Sequence, residues 1–126
     1  MSLSTYLAIK LLRAVLNSEP FEVKGSPFVS LHTGDPGKKG DNEVMGGRYK
    51  RQPAVFTLVE IETLANAENI EFIAMPSETF THVGLWDAII RGNFLWGGEL
   101  VIPKTTNHGD TFRIMTGDLD IVMDQQ

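Results

Sequence analysis

The chain has 126 residues, of which 42% are apolar and 21% charged, with no cysteine and a formal net charge of −5. This is the composition of one soluble globular domain rather than of a disordered segment. The negative balance argues against a surface that tracks nucleic-acid phosphates, and the lack of Cys removes disulfides, thiolate nucleophiles and cysteine-rich zinc sites.

The first element in chain order is a helix over residues 4–16. Ser2 or Ser4 can cap its start; Leu7, Leu11, Leu12, Val15 and Leu16 supply an apolar stripe, and Lys10 and Arg13 suit the wetter side. Pro20 stops the helix, and Arg13 lies near the C-terminal end of the dipole, where positive charge is favoured. The stretch is too short and too interrupted by Lys10 and Arg13 for a membrane span or the core of a signal peptide, so the chain is expected to be used where it is made, without membrane insertion. The stripe either covers one end of a sheet or docks on another subunit, which makes those five apolar residues the candidate assembly residues. The expected organisation is therefore a helix and assembly element at 1–20 followed by a β domain at 21–126.

Beyond residue 20 the pattern turns to alternation. Pro27 to Thr33, Val55 to Ile61, Ile70 to Met75, Phe80 to Trp86, Phe94 to Ile102, Phe112 with Ile114, and Leu119 to Met123 read as strands. Glu60 to Asn69 reads as a charged connection, and Arg91-Gly92-Asn93 as the tip of a hairpin. About seven or eight short strands with no crossover helices predict a mainly β fold, a compact antiparallel β-sandwich or jelly roll carrying one N-terminal amphipathic helix.

The long polar stretch 34–47 holds five glycines and the carboxylates Asp35, Asp41 and Glu43. A loop of this length needs a purpose: folding back over the domain, contacting a neighbour or holding a ligand. Its carboxylates read first as solvated groups that help turns; their spacing differs from that of an EF-hand, and its glycines lack the Lys-Ser or Lys-Thr of a phosphate-binding loop. His32, His82 and His108 fit no metal-ligand or nucleophile pattern, so neither metal, cofactor nor catalytic residue is expected. Phe80, Trp86, Phe94, Trp96 and Phe112 suit a core. Trp86 and Trp96, if exposed near Gly97-Gly98, would instead form a surface-binding pair for a sugar ring or a subunit.

Several ordered motifs carry a family resemblance. Leu31-His32-Thr33, Asp35-Pro36-Gly37, Asn42-Glu43-Val44, Gly46-Gly47 and Tyr49 through Gln52 lie in the first half. Thr81-His82-Val83-Gly84, Trp86-Asp87-Ala88, Gly92-Asn93, Pro103-Lys104 and Gly109-Asp110-Thr111-Phe112 lie in the second. Across residues 28–124 the sequence resembles the small bacteriophage tail fibre or minor tail protein family. The resemblance implies a compact β protein without enzymatic role that contributes to a tail or tail fibre in the virion and is assembled in the host cytoplasm. Its expected partners are other phage virion proteins and further copies of itself, in a homo-oligomer that is trimeric or higher. A capsid-surface decoration or head-fibre protein and a host-surface carbohydrate-binding module are the alternative readings.

Overall fold

The computed structural model describes residues 2–20, 26–60 and 63–122. Within them lie one helix, α1 (Thr5–Leu16), and ten strands: β1 (Ser2–Leu3), β2 (Phe28–His32), β3 (Gln52–Pro53), β4 (Phe56–Glu60), β5 (Thr63–Asn66), β6 (Ile70–Phe72), β7 (Glu78–Trp86), β8 (Phe94–Thr106), β9 (Phe112–Ile114) and β10 (Asp120–Val122). All pair antiparallel, in a five-stranded sheet ordered β1-β8-β7-β2-β3, a three-stranded sheet β10-β5-β4 and a two-stranded sheet β6-β9. The protein is thus mainly β with antiparallel sheets and one N-terminal helix, its strands divided among three sheets.

Alternation along β2 sets up two buried faces. Val29 and Leu31 oppose Leu85 and Val83 of β7, Trp96 of β8 opposes Leu85, and these residues join Ile70, Phe72, Met75, Phe80 and Ile114 in the main core. Ser30 and His32 point to the reverse face, level with Gly84 of β7, and are as fully buried as their apolar neighbours. That reverse face has no room for a side chain at position 84: a Cβ there would lie 2.7 Å from Ser30 Oγ and 2.8 Å from both His32 Nε2 and the Phe94 ring. Glycine is therefore required by close packing rather than by backbone angle.

Helix α1 starts as its sequence predicts. Ser4 is the N-cap, its hydroxyl accepting from Leu7 N–H at 3.0 Å, while its own N–H donates to Leu95 O at 2.8 Å and ties the cap to β8. The hairpin between β7 and β8 also forms as expected: Arg91 and Gly92 both take positive φ, and Asp87 accepts from Asn93 N–H at 2.6 Å and from its side-chain amide at 2.8 Å.

Other elements differ from the sequence reading. Residues 60–69 are more than a connection, because β5 lies between β4 and β10 in the three-stranded sheet. The strand begun at Ile70 ends at Phe72, since Ala74 adopts φ 50° and breaks the extended chain before Met75. Strand β8 runs past Ile102 to Thr106 by bulging: Leu100 to Pro103 lie between the pairs Phe80↔Lys104 and His82↔Glu99, opposite Thr81 alone. Ile61 and Met123, assigned to strands from the sequence, lie outside the described residues.

Candidate functional site

Two features collect the residues singled out from the sequence: a polar cluster beneath the 34–47 stretch, and the outward side of α1. The long stretch does not project. Thr33 N–H donates to Asn42 O at 2.8 Å and Val44 N–H to Leu31 O at 2.9 Å, so its far end returns alongside β2, and His32 bridges Glu43. Asp35 accepts from Gly37 N–H at 2.8 Å, and the Asn42 side-chain amide donates to Asp35 O at 3.0 Å. Asp35 therefore does the turn-forming work its sequence suggested.

Glu43 does not behave as a solvated carboxylate. It receives Arg51 through Nε at 3.0 Å and a terminal nitrogen at 2.9 Å, and the Tyr49 hydroxyl at 2.7 Å. The other terminal nitrogen of Arg51 donates to Ala88 O at 3.0 Å and Arg91 O at 2.7 Å, and its guanidinium lies 3.6 Å from the centre of the Trp86 ring. One buried arginine thus fastens the 34–47 stretch, the Tyr49 to Gln52 segment and the β7–β8 turn together. The Tyr49 hydroxyl in turn accepts from Leu31 N–H at 3.0 Å; burial, then the charge of Glu43, pushes its pKa upward.

A second chain of hydrogen bonds runs under the same stretch. His32 Nδ1 is 2.6 Å from Asp41 O, which only accepts, so Nδ1 carries the proton. Nε2 then accepts from Ser30 Oγ at 2.6 Å, and Ser30 Oγ accepts from Trp86 Nε1–H at 2.9 Å. Every polar atom in the row Trp86, Ser30, His32, Asp41 is satisfied by one arrangement, with His32 neutral. Burial lowers its pKa, opposed by the Asp41 carbonyl and Glu43 and assisted by Arg51 and His82, the last of which faces it across the β2–β7 pair.

A pH dependence follows. Because the folded pKa of His32 lies below the unfolded value of about 6.5, its contribution is complete above that pH and lost as pH falls from about 6.5 toward the folded value. The urea midpoint should drop between pH 7.5 and 5, and His32→Gln should flatten that drop. An unchanged pH profile in the variant would remove His32 as its cause.

The five apolar residues assigned to one helical stripe separate onto different sides. Leu7 and Leu11 are half-buried against the domain, whereas Leu12, Val15 and Leu16 are 58%, 77% and 73% exposed. Ile9, which the sequence reading passed over, is 43% exposed and joins them. At 100° per residue, Leu7, Leu11 and Ala14 form one face while Thr5, Ile9, Leu12 and Leu16 form a second face opposite it. The side turned away from the domain is therefore itself apolar, bordered by Arg13. Trp86 and Trp96 follow the core reading and not the surface-binding alternative: they are only 8% and 5% exposed, one under Arg51 and the other in the main core, so neither offers a ring face to a sugar. Among the described residues, no helix is long and apolar enough to cross a membrane, and no group of three or more His, Asp or Glu side chains could hold a metal ion.

A protein-family model described as Podophage GP4 fiber I protein gp80 matches residues 2–122. The chain belongs to this family. It is a structural protein of a bacteriophage fibre, with its place in the virion among other virion proteins. No curated protein matches it. In this fibre protein the motifs Leu31-His32-Thr33, Asn42-Glu43-Val44, Tyr49 through Gln52 and Trp86-Asp87-Ala88 meet in the two bonded networks. Arg51 is the residue that sequence reasoning missed; its position beside Tyr49, and an otherwise unpartnered Glu43 in a long loop, were the available signals.

Proposed function

We propose that the fibre protein is a non-enzymatic building block that joins its fibre through the outward face of α1. The observation that carries this reading is the exposed row Ile9, Leu12 and Leu16, placed opposite the face that already packs on the β domain. A helix that needs only one apolar face for folding gains nothing in isolation from a second. The 34–47 stretch, the other candidate assembly element, is occupied in bonds to its own domain. Assembly takes place in the host cytoplasm with other virion proteins and further copies of the chain, in a trimeric or higher arrangement. The absence of enzymatic function is supported by the setting of Ser30 and His32, whose 2.6 Å contact lies fully buried with the serine oxygen engaged by Trp86. We also read the sheets as layers of an open β-sandwich, supported by a core that draws on both the five-stranded and the two-stranded sheet.

The test is incorporation of the Leu12→Asp and Leu16→Asp double variant into particles. Burial of each leucine contributes about 1.5–3 kcal/mol, and about 1.4 kcal/mol is a factor of ten, so incorporation should fall at least about tenfold while circular dichroism and the melting curve stay close to wild type. Normal incorporation of the folded variant would reject the role of this face. Deleting the helix is a poorer test, because Ser2 and Leu3 belong to the five-stranded sheet and Leu7 covers the domain.

A further inference from the structure

Residues 34–42 lie on the reverse face of the five-stranded sheet as a piece with its own internal bonds. Gly40 N–H and Asp41 N–H donate to Pro36 O at 3.0 and 2.9 Å, Gly37 N–H donates to the Asp35 carboxylate, and the Asn42 side-chain amide donates to Asp35 O. Fewer bonds fasten the piece to the domain. Asn42 O accepts from Thr33 N–H at 2.8 Å, Lys38 Nζ reaches Leu3 O at 3.4 Å, and Asp41 O accepts from His32 Nδ1–H at 2.6 Å. Packing supplies the remaining hold: fully buried Pro36 lies against Gly97 of β8, and a Cβ on Gly40 would run into the Trp86 and Phe94 rings, so the backbone there covers both. Past Asn42, which takes φ 63°, the chain is pinned separately by the pair of Glu43 and Arg51.

We infer that residues 34–42 are an acid-released strap: a proton on His32 lifts this segment from the sheet and uncovers the Trp86 and Phe94 rings while the strands stay paired. Only a neutral imidazole fits the closed site. A proton on Nε2 would make it a second donor to Ser30 Oγ, which already accepts from Trp86, and would leave the serine hydrogen without an acceptor in a site closed to water. The groups facing the ring offer no free counter-charge. Glu43 is held by Arg51, Phe94 lies edge-on at 6.1 Å, the Asp35 and Asp41 side chains are exposed, and His82 sits across the β2–β7 pair with Glu99 of β8 as its own opposite residue. Lifting the strap gives the imidazolium water. In the lifted state His32 has its ordinary value of about 6.5, and burial keeps it lower in the closed one. The strap is therefore fully held above that pH and lifts more readily as pH falls, by at most about tenfold per pH unit for one proton. This places the acid response in one segment, ahead of any loss of the whole fold, and it is independent of how α1 docks.

Hydrogen exchange of the full chain tests the strap, read by NMR at the Thr33 amide and the Trp86 indole N–H and corrected for the intrinsic pH dependence of exchange. Between pH 7.5 and 5 the opening constant at both should rise, up to the one-proton ceiling of about 30-fold. At pH 5 both should open at least about tenfold more readily than the β7–β8 backbone amides, and low urea should leave their exchange unchanged, because a local opening exposes little surface. His32→Gln should abolish the rise, whereas His82→Gln should keep it. If His32→Gln does not fold, Ser30→Ala replaces it and should shrink the rise, because the neutral ring then loses the bond it accepts. Exchange at Thr33 and Trp86 that shares the rate and urea dependence of the β7–β8 amides would mean whole-domain unfolding and overturns the strap. So does a wild-type opening constant that ignores pH, or a rise that persists undiminished in His32→Gln or in Ser30→Ala.

Discussion

Arg51→Ala is expected to destabilise the fibre protein by about 3–5 kcal/mol, the range for removing one partner from a buried ion pair. The arginine side chain is 8% exposed and that of Glu43 21%, so the carboxylate left behind keeps the Tyr49 hydroxyl but loses both charge-assisted bonds in a site with little access to water. The same substitution strips the Ala88 and Arg91 carbonyls of their donor and uncovers the face of Trp86. Urea unfolding measures the loss directly. Arg51→Lys should recover only a small part of it, because one ammonium cannot reproduce a planar fork that engages a carboxylate, two carbonyls and a ring. A loss below about 1 kcal/mol, the value of an exposed pair, would show that Arg51 does not fasten these segments.

The second large effect is expected at Phe72. Its ring is fully buried, stacked near Tyr49 at 6.0 Å and near Phe112 at 6.3 Å, and so joins the two-stranded sheet to the polar cluster. Phe72→Ala should cost about 3–5 kcal/mol through lost transfer energy and the cavity it leaves. Because the Tyr49 ring rests on Phe72 while its hydroxyl holds Glu43 and Leu31, Phe72→Ala and Tyr49→Phe should be non-additive, with a coupling of about 0.5 kcal/mol or more. Strict additivity would mean that the core and the polar cluster are energetically separate.

These two residues also mark what was legible in the sequence. Period-two alternation located β2, β4 and most of β7, and the Ser4 cap with its following leucines located α1, because those patterns are local. The short strands β1 and β3 gave no such pattern: each has two residues and exists only through pairing with β8 or β2. Strand β5 was hidden by the charged residues around it, and the bulge in β8 by a strand pattern that stopped at Pro103. At the candidate site, the motif residues were visible but their convergence was not. Glu43 and Arg51 are eight residues apart, and the Ala88 and Arg91 carbonyls that Arg51 also holds lie some forty residues further along. Only the register of β2 against β7 brings them together. The helix was misread for a related reason: its composition shows that it is apolar, while the division into an inner face with Leu7 and Leu11 and an outer face with Ile9, Leu12 and Leu16 depends on how the cap at Ser4 is tied to β8.

The most direct test of the account is high-resolution imaging of the intact phage particle. The account predicts repeated copies of this domain in a fibre, with Ile9, Leu12 and Leu16 of each α1 buried against a neighbouring chain. Copies whose outer α1 face is open to solvent throughout the particle, or the absence of the chain from the particle altogether, would contradict it.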